Sequence, residues 1–384
     1  MSVACGAHVL HDGFTDLLYV LLPLWQAEFG LGYAAVGLLR ALYVGSMASF
    51  QLPAGIIAER FGGPLILGLG TALAGIGYLA AGTSVGFGML AGALILGGLG
   101  SGVQHPIAAN LVSLAYSGSR SRTALARYNF SGDLGKMAFP AATAWLITLM
   151  PWRAATMAIG LVGLLAALAI LVVRGLPSYR GISKAASSQP PIATAAPRAR
   201  GFWLLLAIAM TDSATRMGFL TFLPFLLKMK GADMPTIGIA LTLIFTGGAA
   251  GKLVCGWLGA RLGVVRATFV TEGLTAAGIL LLPLPLIAGL TMLPLIGMAL
   301  NGTSSVLYGT VPELVPARKR QRAFSIFYTG GVGAGALAPV LYGLASDLAD
   351  VPTMMLLVAA VVLVTLPLAW RLGAHLHQPG ASEC

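Results

Sequence analysis

The sequence predicts an all-α membrane protein with twelve transmembrane helices in two six-helix pseudo-symmetric bundles, and three observations predict it. First, 57% of its 384 residues are hydrophobic and only 9% are charged, whereas a soluble domain carries about 25% charged residues. Second, apolar runs of about 20 residues, the length that crosses a bilayer, recur twelve times. Third, landmarks of the first half return in the second at an offset of about 201 residues, the mark of an internal repeat.

Breaking the chain at polar and turn-forming clusters places the runs near 5–27, 34–57, 65–82, 87–115, 127–149 and 153–173, then 202–228, 235–258, 267–288, 291–312, 323–346 and 352–371. No basic stretch or small-residue cleavage site accompanies the first run, so it is expected to be a retained helix and not a signal peptide. The ninth and tenth runs are parted by little more than Gly289. Segment 174–201 is rich in Ser, Pro, Ala and basic residues and reads as a flexible linker. The expected domains are therefore a bundle over 1–173, a cytoplasmic linker over 174–201, a bundle over 202–371 and a cytoplasmic tail over 372–384.

The repeat is carried by ordered pairs: Pro23 with Pro224, Gly37 with Gly238, Gly55 with Gly256, Arg60-Phe61-Gly62 with Arg261-Leu262-Gly263, and Pro140 with Pro339. The basic residues set the orientation. With both termini and every even-numbered loop in the cytoplasm, that side receives Arg60, Arg120, Arg122, Arg174, Arg180, Lys184, Arg198, Arg200, Arg261, Arg266, Arg318, Lys319, Arg320, Arg322 and Arg371. The other side receives Arg153, Lys228 and Lys230. This is a positive-inside bias, expected of a multi-pass protein of the bacterial inner membrane.

Composition also excludes classes. The formal net charge of +11 comes from short loops between apolar runs and not from one basic face, which argues against nucleic acid. Cys5, Cys255 and Cys384 show no ligand-like pairing, so neither a disulfide framework nor a zinc site is suggested. Gly97-Gly98-Leu-Gly100 lies inside an apolar run and reads as helix packing, not a phosphate loop. With no metal motif and no nucleophile elbow, an enzyme is not expected.

Two loops carry a signature. Gly55-Ile-Ile-Ala-Glu59-Arg60-Phe-Gly62 follows the second run, and Gly256-Trp-Leu-Gly-Ala260-Arg261-Leu-Gly263-Val-Val-Arg266 follows the eighth. Both resemble the major facilitator signature G-x-x-x-D-R-x-G-x-[RK]-[RK], with Glu59 for the usual Asp and Ala260 for the acid of the second copy. The resemblance implies a gating latch at Glu59, Arg60 and Arg261; simple topological anchoring by the arginines is the other reading. Within that superfamily, His8-x-x-x-Asp12 followed by Pro23, and Gly98-Leu-Gly100-Ser-Gly102-Val-Gln104-His105-Pro106, resemble the fosmidomycin-resistance group of drug exporters.

Ionisable residues inside a membrane are functional candidates by default. Helices 1, 2, 4, 5, 7 and 8 hold nearly all of them, while the ninth has only Glu272, placed near its cytoplasmic end. In the architecture the resemblance implies, helices 3, 6, 9 and 12 are outer supports and the others line a central cavity. At about 100° per residue, His8, His11, Asp12, Thr15, Asp16 and Tyr19 share an arc of about 140° on the first helix. Arg40, Tyr43, Met47 and Gln51 form a stripe on the second helix; Asn129, Asp133 and Lys136 share a face on the fifth; Asn301, Ser304, Ser305 and Tyr308 line the tenth. Asp133 with Lys136, and Asp212 with Arg216, are spaced to pair on their own helices. Lys252 reads as a snorkelling residue.

Asp12 and Asp16 have no basic partner on their own helix, so they are the candidates for a coupling proton, with His8 or His105 nearby. Candidate substrate contacts are His11, Tyr19, Arg40, Tyr43, Gln104, Asn129, Asp133, Lys136, Asp212, Arg216, Asn301, Ser305, Tyr308 and Tyr328. His8, His11, Asp12 and Asp16 also have ligand types suited to a divalent ion, but one helix face rarely completes a coordination shell, so no metal site is assigned. Glycines and prolines such as Gly132, Gly135, Pro140, Gly330, Gly331, Gly333 and Pro339 would let the fifth and eleventh helices bend, or pack them closely.

Arg40 and Arg216 could hold a carboxylate or phosphonate in a forked geometry. The expectation is a secondary transporter working by alternating access, exporting a small anionic or zwitterionic solute or drug in exchange for protons. The resemblance points the same way, since fosmidomycin is a phosphonate. The alternatives are a proton-coupled importer of an organic acid, a divalent metal or metal-chelate transporter, and a non-transporting scaffold. No cofactor is expected beyond the proton gradient; the expected partners are a small-molecule substrate, protons and membrane lipids, and the chain is expected to be monomeric.

Overall fold

The computed structural model describes residues 1–116, 118–174, 200–282, 284–316 and 319–376. The regular elements among them are all helices: α1 (Ser2–Phe29), α2 (Tyr33–Phe61), α3 (Gly63–Gly82), α4 (Phe87–Ser101), α5 (Gln104–Ala115), α6 (Gly118–Leu149) and α7 (Trp152–Arg174). After the linker come α8 (Arg200–Met229), α9 (Met234–Leu280), α10 (Leu286–Leu314), α11 (Arg320–Leu348), α12 (Val351–Leu363) and α13 (Thr365–Leu376). They make twelve spans, because α4 and α5 share the fourth, α9 carries the eighth and ninth, and α12 and α13 share the twelfth.

Proline explains two of these divisions. Pro106 and Pro367 cannot donate the backbone bond that would continue the preceding helix, and breaks fall just before them, at Gly102–Val103 and Val364. Two boundaries differ from the sequence expectation. The eighth and ninth spans meet at a single non-helical residue, Gly263. The ninth and tenth part within 281–285, so Gly289 lies inside α10. Pro285 stands at the N-cap of α10, whereas a lone glycine inside a helix costs it only about 1 kcal/mol. Of the expected linker 174–201, residues 175–199 lie outside the described residues. Of the expected tail, 377–384 lie outside them, and 372–376 continue α13 because Leu372 is buried in the helix packing.

Chain contacts divide the protein into two compact units, Met1–Gln189 with Asp233–Thr242, and Pro190–Ala232 with Leu243–Cys384. The repeat is visible in their backbones. The positive-φ residues among those described are Gly30, Gly62, Gly231 and Gly263, and Gly30 with Gly231, like Gly62 with Gly263, lie 201 residues apart. Gly30 ends α1 in the left-handed conformation (φ 61°, ψ 38°), which a residue with a Cβ enters only at a cost. The cores correspond too. Ala54 and Ile66 belong to the apolar cluster of the first unit, and their counterparts Cys255 and Ala267 to that of the second.

Outside the cores the pattern is inverted relative to a soluble protein. Leu161, Leu165, Leu168 and Val172 form an exposed apolar stripe along α7, as a lipid-facing helix requires. Stretches long and apolar enough to cross a membrane number eight among the described residues. The helices α1, α6 and α8 are not among them, and they carry His8, Asp12 and Asp16, Asp133 and Lys136, and Asp212 and Arg216 respectively. At helix ends outside the apolar layer, polar residues do ordinary capping. Asp350 accepts the Thr353 backbone N–H at 2.6 Å at the start of α12, and that bond holds its carboxyl below the usual range.

Candidate functional site

In the first unit, α1, α5 and α6 bring one carboxylate among three nitrogens. Asp12 lies 3.4 Å from His8 Nε2, 3.6 Å from His105 Nε2 and 3.5 Å from Lys136 Nζ. The break before Pro106 starts α5 at Gln104 and sets His105 on its first turn. Gly132 on α6 makes the room: a Cβ there would stand 2.6 Å from both Asp12 Oδ2 and His8 Nε2. Asp12 and His8 are buried, while the side chains of His105 and Lys136 are 38% and 33% exposed. The cluster is therefore sealed on the α1 side and open on the other.

The tautomer of His8 follows from its partners. Its Nδ1 lies 2.8 Å from the Tyr128 carbonyl oxygen, which can only accept, so Nδ1 carries a hydrogen and donates. The ring stacks on Tyr128 at 4.2 Å and meets His105 edge-on at 5.4 Å. Gln104 Nε2 in turn donates to the Tyr128 hydroxyl at 2.8 Å. With Nδ1 committed, the other ring nitrogen of His8 is left facing Asp12 at 3.4 Å, beside the Lys136 ammonium on the same carboxyl oxygen.

Asp16 is different. Arg40 from α2 reaches its Oδ1 at 3.5 Å, donates to Tyr19 Oη at 2.9 Å and to the Thr15 carbonyl at 3.0 Å, and lies over the Tyr19 ring at 4.5 Å. An ion pair near 4 Å at an effective dielectric near 20 amounts to about 4 kcal/mol, and arginine does not give up its proton. Asp12 and Asp16 have no basic partner on their own helix, but Lys136 and Arg40 reach them from neighbouring helices, where same-helix spacing does not look. Lys136 reaches Asp12 across α1 and α6, besides sharing a helix with Asp133.

His11 leaves the arc as well. Its Nε2 lies 2.9 Å from Thr71 Oγ1, and the Thr71 hydroxyl donates to the Leu67 carbonyl at 2.8 Å, so His11 Nε2–H is the donor. The ring reaches α3 at Thr71. The four-residue metal set on α1 is therefore not assembled, since His11 and Asp16 turn to other partners. His8, Asp12 and His105 do place ligand atoms within 4.8 Å of one another, but the Lys136 ammonium on the same carboxylate opposes a dication there.

The remaining candidates scatter. Tyr19, Arg40, Tyr43 and Gln104 are buried, Tyr43 bonding Ser101 Oγ at 2.7 Å. Asp133 is buried and Asn129 exposed. In the second unit, Asp212 is buried on α8 with Arg216 one turn on. Asn301 donates to the Gly297 carbonyl at 3.1 Å, Ser305 is half-buried, and Tyr308 and Tyr328 are exposed. Neither Glu59, Arg60 nor Arg261 makes an ion pair among the described residues. Arg60 lies 5.4 Å from the Phe61 ring centroid and Arg261 4.8 Å from that of Trp257, contacts within their own helices. Gly132 and Gly135 of the expected bending set, along with Gly330, pack closely on neighbours, whereas Gly331 and Gly333 meet nothing within 4 Å. A cavity of about 1270 Å³ lined by Arg200, Arg266, Glu313 and Arg371 contains none of these candidates. Thr71, Tyr128 and Glu272 are the polar partners that helix-face reasoning missed.

Comparison with known proteins accounts for this architecture. The Major Facilitator Superfamily profile matches residues 4–231 and 205–382. The chain is 25% identical to the fosmidomycin resistance protein of Escherichia coli (strain K12) over 351 residues, covering 89% of this chain and 84% of the relative. It is likewise 25% identical to the 4-hydroxybenzoate transporter PcaK of Pseudomonas aeruginosa over 402 residues, covering 93% and 89%. Among solved structures, a bacterial homolog to the human lysosomal transporter Spinster, inward-facing and occupied, superposes with a TM-score of 0.77 at 16% identity, over 97% of this chain and 96% of that one. Sequence profile, relatives and fold agree: this multi-pass membrane protein belongs to the major facilitator superfamily, a family of transporters and not of enzymes.

Proposed function

We propose that the chain is a proton-coupled secondary transporter that exports a small organic anion or zwitterion by alternating access, from an inner membrane in which both termini are cytoplasmic. One observation supports the coupling: the Asp12 carboxyl is buried within 3.4–3.6 Å of His8, His105 and Lys136. A carboxyl with two imidazoles beside it, one of them half-open, is suited to take up and pass on a proton. Asp16, held by Arg40, is the structural acid of the pair.

The substrate class rests on chemistry and on the relatives. Lys136 is a half-open cation of the first unit, and an acidic group is its natural partner. One relative is named for resistance to a drug and another for transport of an aromatic carboxylate. The latter supports import of an organic acid as the second reading. The expected partners are that solute, protons and lipids, with no cofactor and a monomeric chain.

The test is proton movement in proteoliposomes holding a pH-sensitive dye, with a panel of phosphonates, carboxylates, divalent metals and hydrophobic drugs. Proton movement triggered by one acidic class and lost in Asp12→Asn supports the proposal. A response to metals alone, or an Asp12→Asn response equal to wild type, refutes it.

A further inference from the structure

The offset that pairs Gly30 with Gly231 also pairs His11 with Asp212, Thr71 with Glu272 and Thr15 with Arg216. In the first unit His11 and Thr71 join α1 to α3 by a buried hydrogen bond of 2.9 Å. The same position in the second unit joins α8 to the latter part of α9 through two acids. Asp212 and Glu272 are buried, and carrying the His11–Thr71 contact forward by the repeat offset sets their carboxyls against each other. Glu272, expected near the cytoplasmic end of its span, is thus packed inside the helices.

The charges around them do not balance if both are ionised. Arg216 is the cation that acts on the two acids, and the neighbouring α10 brings the uncharged Thr303 hydroxyl, 2.8 Å from Thr271 Oγ1, to the Glu272 side of the pair. Two carboxylates with one guanidinium leave a net negative charge in a low-dielectric interior, where a single uncompensated charge is strongly disfavoured. Glu272 Oε1 is buried and receives no N–H or O–H from any neighbour. Two ionised carboxylates can only accept, so neither can satisfy the other. One proton placed between them turns repulsion into an O–H···O⁻ hydrogen bond and leaves one negative charge to match Arg216.

We propose that Asp212 and Glu272 hold one proton between them, forming a second proton-binding site, in the C-terminal unit, with Arg216 as its fixed counter-charge. The site is independent of the His8–Asp12–His105 reading, and its test requires no transport. The first measurement is infrared spectroscopy of the purified protein at neutral pH, following the C=O stretch of a protonated carboxylic acid in H₂O and D₂O. Wild type is expected to show a carboxylic-acid component that disappears in both Glu272→Gln and Asp212→Asn and persists in Asp12→Asn. The second is thermal unfolding of the same variants. Each single substitution replaces a shared proton by an amide and leaves charge balance intact, so the unfolding temperature should move by no more than about 2 °C. Glu272→Gln/Asp212→Asn leaves Arg216 unmatched and should lower it by more than about 5 °C, with recovery on adding Arg216→Gln. A wild-type spectrum without a component removed by these variants overturns the proposal, as do single variants that cost as much as the double. Specific stabilisation by sodium over potassium, without the carboxylic-acid component, would overturn it in favour of a metal cation.

Discussion

The two units share a scaffold and differ in what they bury at equivalent places. The first places one acid, Asp12, among His8, His105 and Lys136, two of them half-open to their surroundings. The second buries two acids, Asp212 and Glu272, beside one half-buried arginine, Arg216. Backbone landmarks obey the repeat while charges do not: Asp12 corresponds to Ser213, His8 to Ala209, and Asp16 to Met217. Glycine and proline positions are fixed by backbone geometry, which both units must satisfy to fold. Buried charges are constrained only to balance locally, so each unit is free to carry its own proton chemistry on a common frame.

The largest effect expected of this comparison concerns the sealed Arg40–Asp16 pair. Arg40→Gln leaves a buried carboxylate unmatched and should destabilise by about 3–5 kcal/mol, with most of the loss recovered in Arg40→Gln/Asp16→Asn. Lys136→Gln should cost much less, because Asp12 keeps two histidines and a path to water. Equal losses in denaturation assays would erase the distinction between sealed and open acids. Next come the repeat glycines. Gly263 has φ 76° and ψ 163°, a region almost confined to glycine, and Gly263→Ala should cost about 1–3 kcal/mol. Gly62→Ala, at φ 93°, should cost about the same, and Gly256→Ala, inside α9 with open space around it, should cost nothing and gain up to about 1 kcal/mol. Unequal losses at Gly62 and Gly263 would break the claim of a shared frame.

Gly132→Ala sharpens the comparison at the site itself. Its Cβ would press on Asp12 and His8, so substrate-triggered proton flux should fall about tenfold or more, a barrier increase of about 1.4 kcal/mol. Gly331, its counterpart when Pro140 is set against Pro339, has open space, and Gly331→Ala should leave flux unchanged. The smallest effect lies outside the apolar layer. Asp350 is held below the ordinary carboxylate range by the Thr353 N–H, so its contribution is full above about pH 4 and fades as pH falls through its folded value. Asp350→Ala should lower the unfolding temperature by less than about 2 °C at neutral pH, and the difference from wild type should close in acid.

Much of this was legible in the sequence because it is local. Span length, helix-ending prolines and the 201-residue offset are one-dimensional, and they placed the twelve spans and the repeat. The site was legible only in part. Asp12, His8 and His105 were named, but the approach of Lys136 to Asp12 and of Arg40 to Asp16 joins different helices, which face periodicity cannot show. His11 belonged to the right arc and turned to Thr71, since a 140° arc is wide enough to touch two neighbours. Glu272 was set aside for its distance from the span centre, when what matters is which group faces it. The signal that would have found it was present: carrying His11 and Thr71 forward by the repeat offset lands on Asp212 and Glu272.

The central claim is that Asp12 and its histidines couple solute movement to protons and do not merely hold α1, α5 and α6 together. Counterflow of labelled substrate and its accumulation against a pH gradient, measured side by side in Asp12→Asn proteoliposomes, separates the two. Retained counterflow with accumulation lost is the result this account predicts, because binding and alternating access survive while the proton site does not. Accumulation at the wild-type level in Asp12→Asn would contradict it and place the coupling proton elsewhere in the chain.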